Sequence, residues 1–274
     1  MSEISIYQRL HSRAYLEKFV EQNLRPDGRG LGEFRVLQIT LGSISTADGS
    51  ALVRLGEMTV VCGIKAEISE PDLDLPNYGF IVPNVEISAI CASRFKPGPP
   101  SEEAQVLSEQ LNQIILKSGV LPLESLCIQP GKAVWTLYID AICINYDGNA
   151  LDSTLLAMML ALTNTRLPQA TYEEERGITL CSRKNSRTLG VREIPMSMSF
   201  GIFEAKHLLA DPTAFEEPLL DSSVTVVLMG SKTISVSQSG VATHEGGVAN
   251  LLETCVESAR KRQKTVQQVI RTAS

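Results

Sequence analysis

The chain has 274 residues, 43% of them apolar and 20% charged, with a formal net charge of −6. That length suits one large domain or two closely packed lobes, and the composition is that of an ordinary globular protein. The longest uninterrupted apolar run, Leu155–Leu162, has eight residues, whereas a membrane-spanning helix needs about 20. Residues Met1–Arg9 lack a basic patch followed by an apolar stretch, so no secretory signal is expected, and the cytosol or nucleus is the expected compartment. Overall acidity argues against a protein that coats nucleic acid by global attraction, but it leaves room for a local basic track.

In chain order, Tyr7–Leu24 reads as one helix on the stripe Leu10, Ala14, Phe19 and Val20, broken by Arg25-Pro26-Asp27-Gly28-Arg29. Strands are expected at Phe34–Leu41, at Ser50–Leu55 and Met58–Ile64 joined by a Gly56-Glu57 turn, and at Phe80–Ile87. The run Arg94–Pro100 is too proline-rich to continue a ladder and reads as a loop. Ser101 then caps a helix with Glu102 and Glu103 in its first turn, and Gly119 ends it. Ala133–Tyr146 is a long apolar strand. The turn Asp147-Gly148 leads into a helix, Ala150–Arg166, that is apolar nearly all round and so is expected to be buried on several sides.

The polar stretch Pro168–Arg187 reads as irregular and as the boundary between lobes. Strands follow at about Met196–Phe203, Val224–Met229 and Thr233–Gln238, then a long helix over Gly246–Ile270. The order of elements predicts an α/β (α+β mixed) fold of two packed lobes with mixed sheets and flanking helices. The expected division is an N-terminal helix over 1–24, a first lobe over 25–167, a connecting segment over 168–187 and a second lobe over 188–274. Six cysteines at 62, 91, 127, 143, 181 and 255 form no CxxC pair and read as reduced, buried thiols. His11, His207 and His244 are too scattered for a zinc site, and neither a metal nor a cofactor is expected.

Several segments together resemble the RNase PH family. Arg25-Pro26-Asp27-Gly28-Arg29 with Phe34-Arg35 is similar to its N-terminal signature. Gly49–Val53 with Leu55-Gly56 and Thr59-Val60-Val61 is similar to its first hairpin, and Tyr146-Asp147-Gly148 to its central turn. Asp211 with Glu216-Glu217 is similar to its acidic segment. The pieces span about residues 25–260 in the family's order. Gly42–Gly49, Pro83-Asn84-Val85 and Ser93–Gln105 further resemble the ring subunits of the eukaryotic RNA exosome that share this fold without cutting RNA. The resemblance implies an RNase PH-like fold and a hetero-hexameric ring of related chains under cap subunits with RNA-binding domains. It also implies single-stranded RNA in the central channel, and a nuclear, nucleolar and cytoplasmic protein.

Active members of the family hold inorganic phosphate with a hydroxyl, a guanidinium and helix-terminal N–H groups after the central Asp. Here that stretch reads Asn149-Ala150-Leu151-Asp152: Ala150 stands at the hydroxyl position, Leu151 at the arginine position, and the Asp152 carboxylate one residue on. The expectation is a degenerate phosphate site that Asp152 fills from within. Active members also place two aspartates six residues apart. Asp211 keeps the first, and the second reads as Glu217, so a vestigial acidic site is expected and no catalytic residue is assigned. The competing reading is an active phosphate-dependent 3′-to-5′ exoribonuclease that uses Asp211 and Glu217. Arg94, Phe95 and Lys96 are candidate RNA contacts, two cations around a stackable ring. The plainer alternative is a solvated loop whose Phe packs inward. The run Arg260-Lys261-Arg262 with Lys264 reads as a solvated helix face, and Arg25, Arg29 and Arg35 as candidates for ion pairs with neighbouring subunits.

Overall fold

In a computed structural model, which describes residues 3–240 and 247–273, alternating apolar residues fold as strands around a main core, with a smaller cluster of Leu16, Val20, Phe203 and Leu209 beside it. Two short helices, α1 (Glu3–Leu10) and α2 (Ser12–Val20), open the chain. The single helix expected over Tyr7–Leu24 is thus broken at His11, whose non-helical backbone at φ −130° and ψ 52° interrupts the stripe, and it ends before Leu24. Then come β1 (Leu37–Leu41), β2 (Gly49–Leu55), β3 (Met58–Ser69) and β4 (Phe80–Ile87). The β2–β3 register pairs Leu55 with Met58, so Gly56-Glu57 is a two-residue hairpin loop, and Gly56 at φ +60° supplies the left-handed conformation that it needs. The segment Phe34–Val36 stays outside β1, where the candidate site uses it.

Helix α3 (Glu102–Ser118) begins where Ser101 Oγ accepts from Ala104 N at 3.2 Å and ends at left-handed Gly119. After the short β5 (Cys127–Gln129) and the long β6 (Ala133–Asn145) comes α4 (Ala150–Asn164). All ten residues Ser153–Leu162 of α4 are buried, because the helix packs on β2 and β3 on one side and, on the other, on β9 (Met196–Phe203). The first sheet runs β1-β2-β3-β6-β4, with β5 beside β6 and β4 parallel to β6.

Between α4 and β9 lies a hairpin, β7 (Arg166–Glu173) and β8 (Ile178–Thr188). This corrects the expected irregular connector over 168–187: the apolar alternation of Ile178 and Leu180 is short and both are exposed rather than buried, and the polar run Ser182–Thr188 that completes β8 carries no apolar alternation by which a strand is recognised. The second sheet runs β10-β9-β11-β12, all antiparallel, adding β10 (His207–Ala210), β11 (Ser222–Met229) and β12 (Lys232–Gly240). Helix α5 (Val248–Ala273) packs on β1, β9 and β11. Gly246, the expected start of that helix, and His244 lie outside the described residues. Cys181 is exposed on β8, against the expectation that all thiols are buried; Cys62, Cys91, Cys143 and Cys255 are buried and Cys127 is half-buried. Among the described residues no helix is long and apolar enough to cross a membrane.

Candidate functional site

The buried helix α4 points its N-terminus at the turn Tyr146-Asp147-Gly148, which touches the segment after β10. Gly148 sits at φ +78°, and a Cβ there would come within 2.4 Å of Ala214 N and 2.5 Å of the Thr213 carbonyl carbon. Only glycine allows this close approach of two backbone segments. It brings Asn149, Ala150, Leu151, Asp152, Asp211 and Glu217, far apart in sequence, into one constellation.

Asp211 is fully buried and left-handed at φ +51°, a conformation that a short carboxylate side chain tolerates. Its Oδ1 accepts from Arg35 Nη2 and from Asn149 Nδ2, each at 2.7 Å. Its Oδ2 accepts from the Arg35 Nε and backbone N at 2.9 Å, with Arg29 Nη1 at 3.4 Å. An ionised carboxylate offers about four lone-pair sites, and here the shorter bonds occupy them all. Burial opposes ionisation, yet the bonds and charge of Arg35 hold the Asp211 carboxyl below its ordinary value.

Arg25, also fully buried, forks onto the buried Glu216 carboxylate with Nε at 2.9 Å and Nη2. It donates as well to the carbonyls of Ala210 and Asp211, at 2.5 and 3.0 Å. Arg35 reaches on to Asp147 Oδ2 at 3.0 Å and to the carbonyl of Gly148. The three arginines expected at subunit contacts therefore pair within the chain, where they fix the acidic segment to the central turn. Arg262, expected on a solvated face, turns inward: it donates to the carbonyl of Arg35 at 2.8 Å and lies over the Phe34 ring.

At the start of α4, the Glu217 carboxylate accepts from Asn149 N at 2.7 Å and from the Tyr146 hydroxyl at 2.9 Å. Burial pushes the Glu217 carboxyl above its ordinary value, against the pull of these bonds. Asp152 does not fill this position as expected. Its carboxylate turns to β9 and accepts from Ser199 N at 2.8 Å, from Ser199 Oγ at 3.0 Å and from Asn149 Nδ2 at 2.8 Å. Burial likewise raises its pKa. Asn149 is the common element: its backbone N–H holds Glu217 while its side-chain amide joins Asp152 to Asp211.

Ala150 and Leu151 line a cleft of about 780 Å³ between α3 and the β11–β12 side of the second sheet. Its charged lining residues are Glu102, Glu103, Glu217 and Asp221, with no lysine or arginine among them. The candidate RNA loop borders the cleft. Arg94 pairs with Glu103 at 2.8 Å and lies 4.3 Å over the Tyr146 ring, and Phe95 packs edge-on against Tyr146 with centroids 5.4 Å apart. Phe95 thus faces the core and Lys96 is exposed. Among the described residues no group of His, Cys, Asp and Glu is arranged to hold a metal ion. The residues that sequence reasoning missed are Tyr146, Ser199 and Glu216 as partners of the site; a glutamate doublet after Asp211 carries no sign of which member turns inward.

The fold and the central turn mark an RNase PH-like scaffold, and the chain belongs to the 3′ exoribonuclease (RNase PH) family. Residues 33–168 match domain 1 of that family and residues 193–262 match domain 2. The chain is 43% identical to exosome complex component rrp43 of Schizosaccharomyces pombe over 94% of each chain. It is 35% identical to exosome complex component Rrp42 of Pyrococcus furiosus, over 94% of this chain and 92% of the relative. A solved Archaeoglobus fulgidus exosome with RNA bound to the active site has a chain that is 32% identical, with a TM-score of 0.81 over 93% of this chain and 97% of that one.

Proposed function

We propose that this chain is a ring subunit of the RNA exosome whose own phosphorolytic site is closed, so that it builds the RNA channel without cutting RNA. The observation that carries the reading is the Glu217 carboxylate 2.7 Å from Asn149 N, at the helix start where active relatives are expected to hold inorganic phosphate. A phosphate brought to 4 Å from that carboxylate meets a repulsion of order 4 kcal/mol at an effective dielectric near 20. Loss of the arginine at Leu151 removes a further ~1.5–3 kcal/mol of charge-assisted hydrogen bonding. Together these weaken phosphate binding by about four to five powers of ten. The filled acceptor sites of Asp211 leave it no capacity to move a proton or hold a metal.

In this reading the partners are other RNase PH-like chains, cap subunits with RNA-binding domains, and single-stranded RNA in the channel. The lobes are residues 25–167 and 188–274, joined by 168–187 and preceded by 1–24, and the protein is nuclear, nucleolar and cytoplasmic. Native mass spectrometry of the gently purified, tagged chain tests the reading: one copy beside several different RNase PH-like chains is expected. A homohexamer that degrades RNA in a phosphate-dependent reaction abolished by Asp211→Ala would establish the active exoribonuclease instead.

A further inference from the structure

We infer that the cleft at the start of α4 is a binding site for an arginine- or lysine-bearing peptide segment of another protein. The inference rests on the reading that the cleft is closed to phosphate. Four carboxylates line it, from Glu102, Glu103, Glu217 and Asp221, and its hydroxyl-bearing walls come from Ser199, Ser222, Ser223, Thr225 and Ser239. Two guanidiniums reach the rim: Arg94 pairs with Glu103 at 2.8 Å and Arg13 with Asp221 at 3.1 Å. Among the described residues neither Glu102 nor Glu217 forms an ion pair, although the Arg94 charge also acts on Glu217, and the carboxylates outnumber the guanidiniums by two.

A separate observation concerns the floor. Asn149 and Ser222 both line the cleft and are each only 4% exposed. Asn149 Oδ1 and Ser222 Oγ nevertheless have no hydrogen-bond partner. A buried polar atom without a partner costs about 1–3 kcal/mol, and an amide oxygen can be satisfied only by a donor. Guanidinium and ammonium groups are all-donor cations, so they answer both the orphaned acceptor and the surplus of negative charge. Inorganic phosphate and the RNA backbone bring negative charge to a cleft already lined by four carboxylates. At about 780 Å³, the cleft lies within the ordinary range of ligand sites and admits a basic side chain with its flanking residues.

The test uses the full chain and a fluorescent Gly-Arg-Lys-Arg-Gly peptide, read by polarisation. Glu102→Gln with Glu217→Gln keeps the acceptor for Asn149 N and is expected to weaken binding by roughly tenfold or more. Glu174→Gln with Glu175→Gln removes the same charge elsewhere and is expected to change binding by less than about twofold. Carbodiimide coupling of the lysine peptide to the unaltered protein is expected to place the new amide bonds at the cleft glutamates or Asp221. Equal losses in the two double variants, or amide bonds concentrated at Glu173–Glu175, overturn the inference. Failure of the peptide to bind while inorganic phosphate also fails overturns the inference alone. Displacement of the peptide by inorganic phosphate overturns the closed-cleft reading along with it.

Discussion

Removing the Arg25 side chain should be among the most damaging single changes in the protein. Arg25 is fully buried and Glu216 is 1% exposed, so Arg25→Ala leaves a carboxylate in the interior with only Thr213 N and Oγ1 still donating to it, at 2.8 and 3.0 Å. The carbonyls of Ala210 and Asp211 lose Arg25 as a donor at the same stroke, and Asp211 O keeps only the longer bond from Arg29 Nη2 at 3.3 Å. Breaking a buried pair from one side costs about 3–5 kcal/mol, which for a chain of this size lowers the melting temperature by roughly 6–20 °C. Arg25→Met combined with Glu216→Leu removes both charges and should recover most of that loss, because the penalty lies in the stranded carboxylate more than in the missing attraction. Urea unfolding of the two variants beside the parent chain measures both quantities. A loss below about 1 kcal/mol for Arg25→Ala, or a double variant no more stable than the single one, would refute the account of a buried, mutually dependent pair.

Other outcomes follow from the same geometry. Asp211→Asn should destabilise the chain by about 3–5 kcal/mol at neutral pH. The native Asp211 pKa is lowered, so its stabilising contribution is full above the unfolded value near 3.9 and disappears as pH falls through the native value. The stability difference between Asp211→Asn and the parent should therefore shrink toward zero in acid, and a difference that grows in acid would contradict the assigned ion pair. Gly148→Ala, with its Cβ 2.4 Å from Ala214 N and φ at +78°, should lose about 2 kcal/mol or more, measurable by thermal melting; an unchanged melting temperature would mean that the turn and the 212–214 segment do not touch. Phe95→Ala should lower stability by about 1–3 kcal/mol while leaving the RNA affinity of a reconstituted ring unchanged. Lys96→Ala should weaken RNA binding and reduce the salt slope by about one, and the opposite pattern would make Phe95 a base-stacking residue.

Much of the architecture was legible because burial leaves a periodic trace. The β2–β3 hairpin, β4, β6, α3 and α4 all stand where apolar alternation, the Ser101 cap and the all-apolar helix face predict them. The β7–β8 hairpin left too little of it, since the alternating Ile178 and Leu180 are exposed and the rest of β8 is polar, and β10 has only four residues. In the site, Asn149–Asp152 and Asp211 with Glu217 were identifiable by resemblance, and the chain brings them together. Which carboxylate would occupy the helix start was not legible. Asp152 is nearest in sequence, but Ser199 on β9 draws it away and leaves the position to Glu217, a choice made by contacts between residues 47 and 68 positions apart. The inward turn of Arg25 and Arg35 was equally hidden, because arginine is buried only where a partner waits, and their partners lie about 180 residues further on.

Asn149 holds one carboxylate with its backbone and two with its side chain, and in the proposed closed-site reading this makes a gain of nuclease activity a problem of several simultaneous steps. A Glu217→Asp change would draw the carboxylate back by one methylene and uncover Asn149 N, yet Ala150 and Leu151 would still present neither hydroxyl nor guanidinium to an arriving phosphate. Restoring those two side chains first would set a new arginine beside a position that Glu217 already occupies, giving an internal salt bridge rather than an anion pocket. Replacing Asn149 before either would leave the Asp152 and Asp211 carboxylates facing each other without the amide between them. In that reading each single change is without benefit or harmful until the others are in place, and a path to a working nuclease runs uphill at its first step whichever residue changes first.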